Sequence, residues 1–130
     1  MDLKGKNVFL SGGMSGYAHN NVAAFVTAHA ILRELGAAHV YDPALAWLTQ
    51  PREADERMTH EDYMVRCIRE LTRKTYMGSG TFYDLLVQLP CWEFSDGAWL
   101  EMCTAEGCGI EVVELETLLL GEGDDGGHEL

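Results

Sequence analysis

The chain has 130 residues, 47% of them hydrophobic and 23% charged, the proportions of one folded domain rather than of a disordered chain. Acidic residues outnumber basic ones 21 to 9, for a formal charge of −12, which argues against a nucleic-acid polymer as partner because a phosphate backbone would be repelled. No apolar run approaches the roughly 18–20 residues of a membrane span, and the four cysteines form no C-x-x-C pair or metal-ligand spacing with the scattered histidines.

Asn7-Val8-Phe9-Leu10 is a short apolar run closed by Ser11-Gly12-Gly13-Met14-Ser15-Gly16, which predicts a buried strand feeding a glycine-rich loop. Val22, Phe25, Val26, Ile31, Leu32 and Leu35 recur at helical spacing, so a helix is predicted over 20–35 with Asn20 or Asn21 as its cap and Gly36 as its end. Ala38 to Tyr41 reads as a second strand stopped by Asp42-Pro43. Residues 44–58, with Trp47 and Pro51, read as irregular, and a loop of that length suggests a segment that covers a site.

Thr59 is placed to cap a helix running to about Lys74, with Asp62 in the capping-box position and Met64, Cys67, Ile68 and Leu71 as its apolar stripe. Residues 75–81 are loop-like, and Phe82 to Leu89 is a third strand ended by Pro90. Ser95 or Asp96 caps a helix to about Glu106, within which Cys103 and, at its end, Cys108 are expected to be buried. Ile110 to Val113 is a fourth strand. A short apolar segment to Leu120 precedes residues 121–130, an acidic, glycine-rich stretch read as a disordered tail to a single domain over 1–120.

Strands alternating with helices predict an α/β fold, a parallel sheet of four to five strands with helices on both faces. Ligands bind such sheets outside the carboxyl ends of the strands, which gathers Ser11–Gly16, Asp42–Pro43 and Pro90–Asp96 around one crevice. The first loop is neither G-x-G-x-x-G nor a P-loop, so a plain strand-to-helix turn and a ligand cradle are both open. Glu101 falls in the second turn of its helix, where the helix dipole favours the charged form. An ionised carboxylate beside a crevice suits a nucleophile in glycosyl transfer; a solvated helix glutamate is the other reading. Arg66, Arg69 and Arg73 share one helical face, either to meet a phosphate or to pair with Glu70 and Asp62.

Taken together, Val8 to Gly16, Asn21 with Phe25, Tyr41-Asp42-Pro43-Ala44, His60 to Arg66, Asp84 to Trp92 and Ser95-Asp96-Gly97-Ala98-Trp99-Leu100-Glu101 resemble the nucleoside 2-deoxyribosyltransferase-like superfamily. The likeness is greatest to its small, often phage-borne branch and extends over about residues 6–113. It implies a flavodoxin-like (Rossmann-like) fold and cleavage or transfer of the N-glycosidic bond of a 2-deoxynucleoside 5′-monophosphate or deoxynucleoside, with Glu101 as catalytic nucleophile and neither metal nor organic cofactor. Substrate-binding positions implied with it are Ser11, Gly12, Gly13, Met14, Tyr17, Asp42, Trp92, Ser95, Asp96 and Gly97.

Ser95 stands where the monophosphate-specific members carry a serine and the transferases an aspartate. A serine hydroxyl tolerates a 5′-phosphate that an aspartate would repel, although serine is also a common helix cap. Trp92 and Trp99 could stack on a base or pack into the core. The sequence departs from the family pattern at Gly13 (usually Pro), at Cys91 (usually Gly) and at Cys67, which stands by local match where a second catalytic aspartate is expected. Asp84 begins its strand, about 16 Å from the carboxyl end, and does not fill that gap. A binding module that retains the pocket without the chemistry is therefore the alternative to an enzyme. The resemblance also implies a homo-oligomer and a small-molecule nucleotide or nucleoside ligand, while the missing signal-peptide pattern and the unpaired cysteines are read as a cytoplasmic location.

Overall fold

The computed structural model describes residues 2–14, 21–48, 59–75, 78 and 80–124. Its strands β1 (Asn7–Ser11), β2 (His39–Tyr41), β3 (Leu85–Gln88) and β4 (Glu111–Glu114) form one sheet in the order β2-β1-β3-β4. All three pairings are parallel, with Phe9 opposite Tyr41, Ser11 opposite Gln88 and Gln88 opposite Glu114. This is the expected α/β architecture with flavodoxin-like strand order. The connections run through helices α1 (Val22–Glu34), α2 (Pro43–Leu48), α3 (His60–Leu71) and α4 (Asp96–Gly107), and α5 (Leu115–Asp124) follows β4. Among the described residues no helix is long and apolar enough to cross a membrane.

The pleat divides the core in two. Val8, Leu10, Leu85 and Val87 pack with Phe25 and Leu32 of α1, and with Leu118 of α5. Phe9 and Leu86 point the other way, onto Tyr63, Cys67 and Leu71 of α3 and Ala105 of α4. Helices cover both faces, as the chain order predicts, and α3 packs directly against α4. Met14, just past β1, is packed against both halves.

Local chemistry sets the helix starts. The Thr59 hydroxyl accepts a hydrogen bond from Asp62 N at 3.1 Å, and Ser95 Oγ accepts from Ala98 N at 3.1 Å, both as N-caps. Asn21 behaves otherwise: it precedes α1 with φ 62° and no cap bond, and its amide donates instead to Gly13 O at 3.0 Å, tying the glycine loop to the helix. Gly36 ends α1 at φ +106°, with the Lys4 backbone 3.1 Å from where a β-carbon would stand.

Several expectations need correction. Residues 44–48 are not irregular: Pro43 opens α2 at its favoured first position, and Asp42 Oδ1 accepts from Ala44 N and Leu45 N. The remainder of the expected loop, 49–58, lies outside the described residues. The apolar stripe of α3 runs through Tyr63, Cys67 and Leu71, with Met64 and Ile68 only partly buried at its border. Cys103 and Cys108 are exposed, because α4 turns Ala98, Glu101 and Ala105 inward instead. The apolar segment after β4 is helical, with Leu115 and Leu118 buried, and reaches Asp124; residues 125–130 lie outside the described residues.

Candidate functional site

Three side chains reach the α3/α4 face of the sheet near its carboxyl end, one from each of three adjacent strands: Tyr41 from β2, Ser11 from β1 and Gln88 from β3. Glu101 arrives from α4, and Tyr63 and Cys67 from α3. All six residues are mostly buried, Glu101 to 6% exposure and Gln88 to 3%. A buried carboxyl group needs hydrogen-bond partners, and Ser11 Oγ donates to Glu101 Oε1 at 2.6 Å. The Cys67 thiol lies close enough for its electrostatics to be coupled to this carboxyl group.

Desolvation dominates the electrostatics. It raises the Glu101 carboxyl from 4.5 to about 7, against the opposing pull of the Ser11 hydrogen bond and the neighbouring Cys67 thiol. The expectation of a dipole-stabilised, ordinarily ionised carboxylate is thus corrected: removal from water outweighs the field of the helix start. Burial, then the nearby Glu101 charge, pushes the Cys67 thiol up to about 12, so it is neutral at physiological pH. Tyr41 and Tyr63 are likewise held protonated, chiefly by burial.

Two polar atoms of this cluster have no hydrogen-bond partner, Tyr41 Oη and Gln88 Nε2. Tyr41 stacks on Phe9 with ring centroids 5.0 Å apart, and its hydroxyl lies beside the Cys67 thiol. Tyr63 is anchored by donating to Pro43 O at 2.6 Å, with Met14 Sδ 3.2 Å away. This links α3 to the start of α2 and to the first loop.

The other expected residues are distributed as follows. Gly12 makes a close approach, but to protein: a β-carbon there would stand 2.9 Å from Leu89 Cβ. Gly13 is buried, Met14 partly so, and Tyr17 lies outside the described residues. Asp42 turns to the opposite face, where Oδ2 meets His29 Nδ1 at 3.0 Å beside a shallow cavity of about 250 Å³ lined by Val26, Ala30 and Leu45. Ser95 is engaged as the α4 cap, and Asp96 is exposed. Gly97 makes room for Met64, whose sulfur would lie 3.0 Å from an added β-carbon.

Trp92 and Trp99 pack on each other with centroids 5.0 Å apart at the surface rather than in the core, tied by Trp92 Nε1 to Glu114 and Trp99 Nε1 to Glu93 O. Asp84 is at the amino end of the sheet, accepting from Asn7 N at 2.9 Å. Arg73 follows the pairing alternative, meeting Glu70 at 3.1 Å and lying over the Phe82 ring.

Sequence reasoning missed Tyr41, Tyr63 and Gln88. The signal for Gln88 was present: a lone amide closing the apolar strand Leu85-Leu86-Val87. Cys67 lies near enough to Glu101 for the carboxylate's charge to act on its thiol. Among the described residues no three His, Cys, Asp or Glu side chains converge as a metal site requires. No curated protein and no solved structure matches the chain significantly. A family model described as a domain of unknown function matches residues 6–114, which include all four strands and the whole Glu101 cluster, and the chain therefore belongs to the DUF4406 family.

Proposed function

We propose that the chain cleaves or transfers the N-glycosidic bond of a 2-deoxynucleoside 5′-monophosphate, or of the deoxynucleoside, with Glu101 as nucleophile. The observation that carries this reading is the Ser11–Glu101 pair: an enclosed carboxyl group near the carboxyl end of a parallel sheet, held at 2.6 Å by a serine of the first strand. The motif likeness to the nucleoside 2-deoxyribosyltransferase-like superfamily supports it, and the strand order is compatible.

In this reaction a Glu101 oxygen bonds to C1′ while the C1′–N bond breaks and its electron pair leaves with the base, which takes up a proton. Water then adds to C1′, releases the carboxylate and gives up a proton; in transfer, a second base replaces water. A 2-deoxyribose passes through an oxocarbenium-like state readily because no 2′-hydroxyl withdraws electrons from it. Ser11 fixes one carboxyl oxygen and thereby the direction of attack. With a pKa of about 7, the group is roughly half ionised at neutral pH, so both nucleophilic and proton-carrying forms are populated. The reading extends to a small-molecule nucleotide ligand, Ser95 near its 5′ end, no metal or organic cofactor, and a homo-oligomer, whose size light scattering measures.

One observation favours a second reading, a binding module that sequesters a nucleotide. Cys67 is a neutral thiol where a second carboxylic acid is expected, and among the described residues no other carboxylate acts on Glu101. The deciding experiment is base release from the four 2′-deoxynucleoside 5′-monophosphates by the wild type, Glu101→Gln and Cys67→Asp. The enzyme reading expects release by the wild type and at least a 100-fold loss in Glu101→Gln. Tight calorimetric binding without release by the wild type, with release gained in Cys67→Asp, selects the binding module. Neither binding nor release removes both.

A further inference from the structure

Gln88 is 3% exposed, and its Nε2 makes no hydrogen bond. Leaving a buried donor unpaired costs about 1–3 kcal/mol, and such groups in folded proteins call for an explanation. The position is informative. Gln88 closes β3 directly opposite Ser11 in the parallel register. Because Leu86 lies in the core between the sheet and α3/α4, Gln88, two residues on, shares that face. It is thus the strand neighbour of the serine that holds Glu101, yet the Glu101 carboxyl takes its hydrogen bond from Ser11 and not from Gln88. On its other side, Glu114 is engaged with the Trp92 indole.

We infer that Gln88 is a specificity-determining residue that reads the 3′-hydroxyl of the bound 2-deoxyribose, an assignment that rests on Glu101 being the nucleophile. Stereochemistry selects the atom. In a β-nucleoside the base and C5′ project from one face of the sugar ring, and in-line displacement brings the nucleophile to the other. On that face a 2-deoxyribose carries a single polar substituent, the 3′-hydroxyl. A side chain flanking the nucleophile therefore meets this hydroxyl and not the base or the 5′-phosphate. A hydroxyl both donates and accepts, so it satisfies either end of the amide. In the free protein the amide nitrogen waits unpaired, and the bound sugar supplies what the fold withholds.

The test compares wild type, Gln88→Leu and Gln88→Met by thermal melting of the free proteins and by calorimetry with 2′-deoxynucleoside 5′-monophosphates and their 2′,3′-dideoxy counterparts. The expected result has three parts. Both variants are at least as stable as wild type, since an unpaired polar group has been removed. Wild type binds the deoxy ligand about tenfold more tightly than the dideoxy one. The variants bind the two ligands alike, at the wild-type dideoxy affinity. The assignment is overturned if a folded variant keeps the wild-type preference, if it loses affinity for both ligands equally, or if both variants are clearly less stable, which would mean that the amide is satisfied within the fold. Failure of the wild type to bind either ligand would instead remove the reading of Glu101 on which it depends.

Discussion

At Glu101 the carboxyl group binds its proton more tightly in the folded chain than in the unfolded one, because burial raises its pKa from 4.5 to about 7. Below about pH 4.5 both states are protonated and the group is neutral to stability. Between 4.5 and 7 the unfolded chain releases the proton first, so the folded state loses ground as pH rises, and above 7 the loss is constant. A displacement of this size corresponds to roughly 3 kcal/mol. Glu101→Gln keeps an oxygen for Ser11 and abolishes the titration. Its stability advantage over wild type should therefore be absent near pH 4 and grow to a few kcal/mol by pH 8, read as the difference between two denaturation series. Under the enzyme reading, turnover has the opposite slope and rises through pH 7 as the carboxylate forms.

Cys91 presents a second, independent strain. It adopts φ 65°, a left-handed conformation, at the turn before α4. A residue with a β-carbon is disfavoured there by about 1–2 kcal/mol relative to glycine. Cys91→Gly is expected to stabilise the protein by about 1 kcal/mol, with a higher midpoint and unchanged slope in urea denaturation.

Among the elements, α4 depends on a hydroxyl with two candidate duties. Ser95 caps it through Ala98 N, and Ser95→Ala should cost about 1 kcal/mol in stability. If the same hydroxyl also meets a 5′-phosphate, that variant raises KM for monophosphates while leaving nucleosides unaffected; a purely capping serine leaves the two ratios equal. At the end of β1, Gly12→Ala would drive a methyl group to 2.9 Å from Leu89 Cβ, and overpacking of this kind costs about 1–3 kcal/mol.

The helix caps at Thr59 and Ser95 were legible because capping is chemistry between residues three apart. The four strands were legible as apolar runs between turn residues. The start of α2 was written as Asp42-Pro43 but read only as the end of a strand, since the same pair serves both purposes. The depth of Glu101 was hidden. Its burial depends on Ser11, 90 residues away, and on Cys67 from another helix, so no local pattern encodes it. For the same reason the exposed Cys103 and Cys108 were misread: their helix faces are decided by what α3 and the sheet already fill.

For the whole molecule, the excess of acidic over basic residues, −12 in formal charge, acts against compaction. Going from about 0.01 M to about 0.1 M salt shortens the screening length from about 30 Å to about 10 Å, which weakens like-charge repulsion across a domain of this size. The melting temperature should rise by a few degrees over that range, and a fall would indicate that attractive pairs dominate instead. Among the described residues few such pairs are available for salt to weaken: the Arg73–Glu70 bridge is at the surface, and Asp42 meets a histidine.

Among the described residues the sheet ends at two borders, three-residue β2 and β4, whose Val112-Val113 is bracketed by Glu111 and Glu114. Two molecules meeting border to border along β4 would bring four carboxylates together around a short aliphatic stretch. Such charges act as gatekeepers against fibril growth. Acid strong enough to neutralise them would remove this protection, so a preparation that is clear near neutrality should become prone to cross-β stacking as it is acidified.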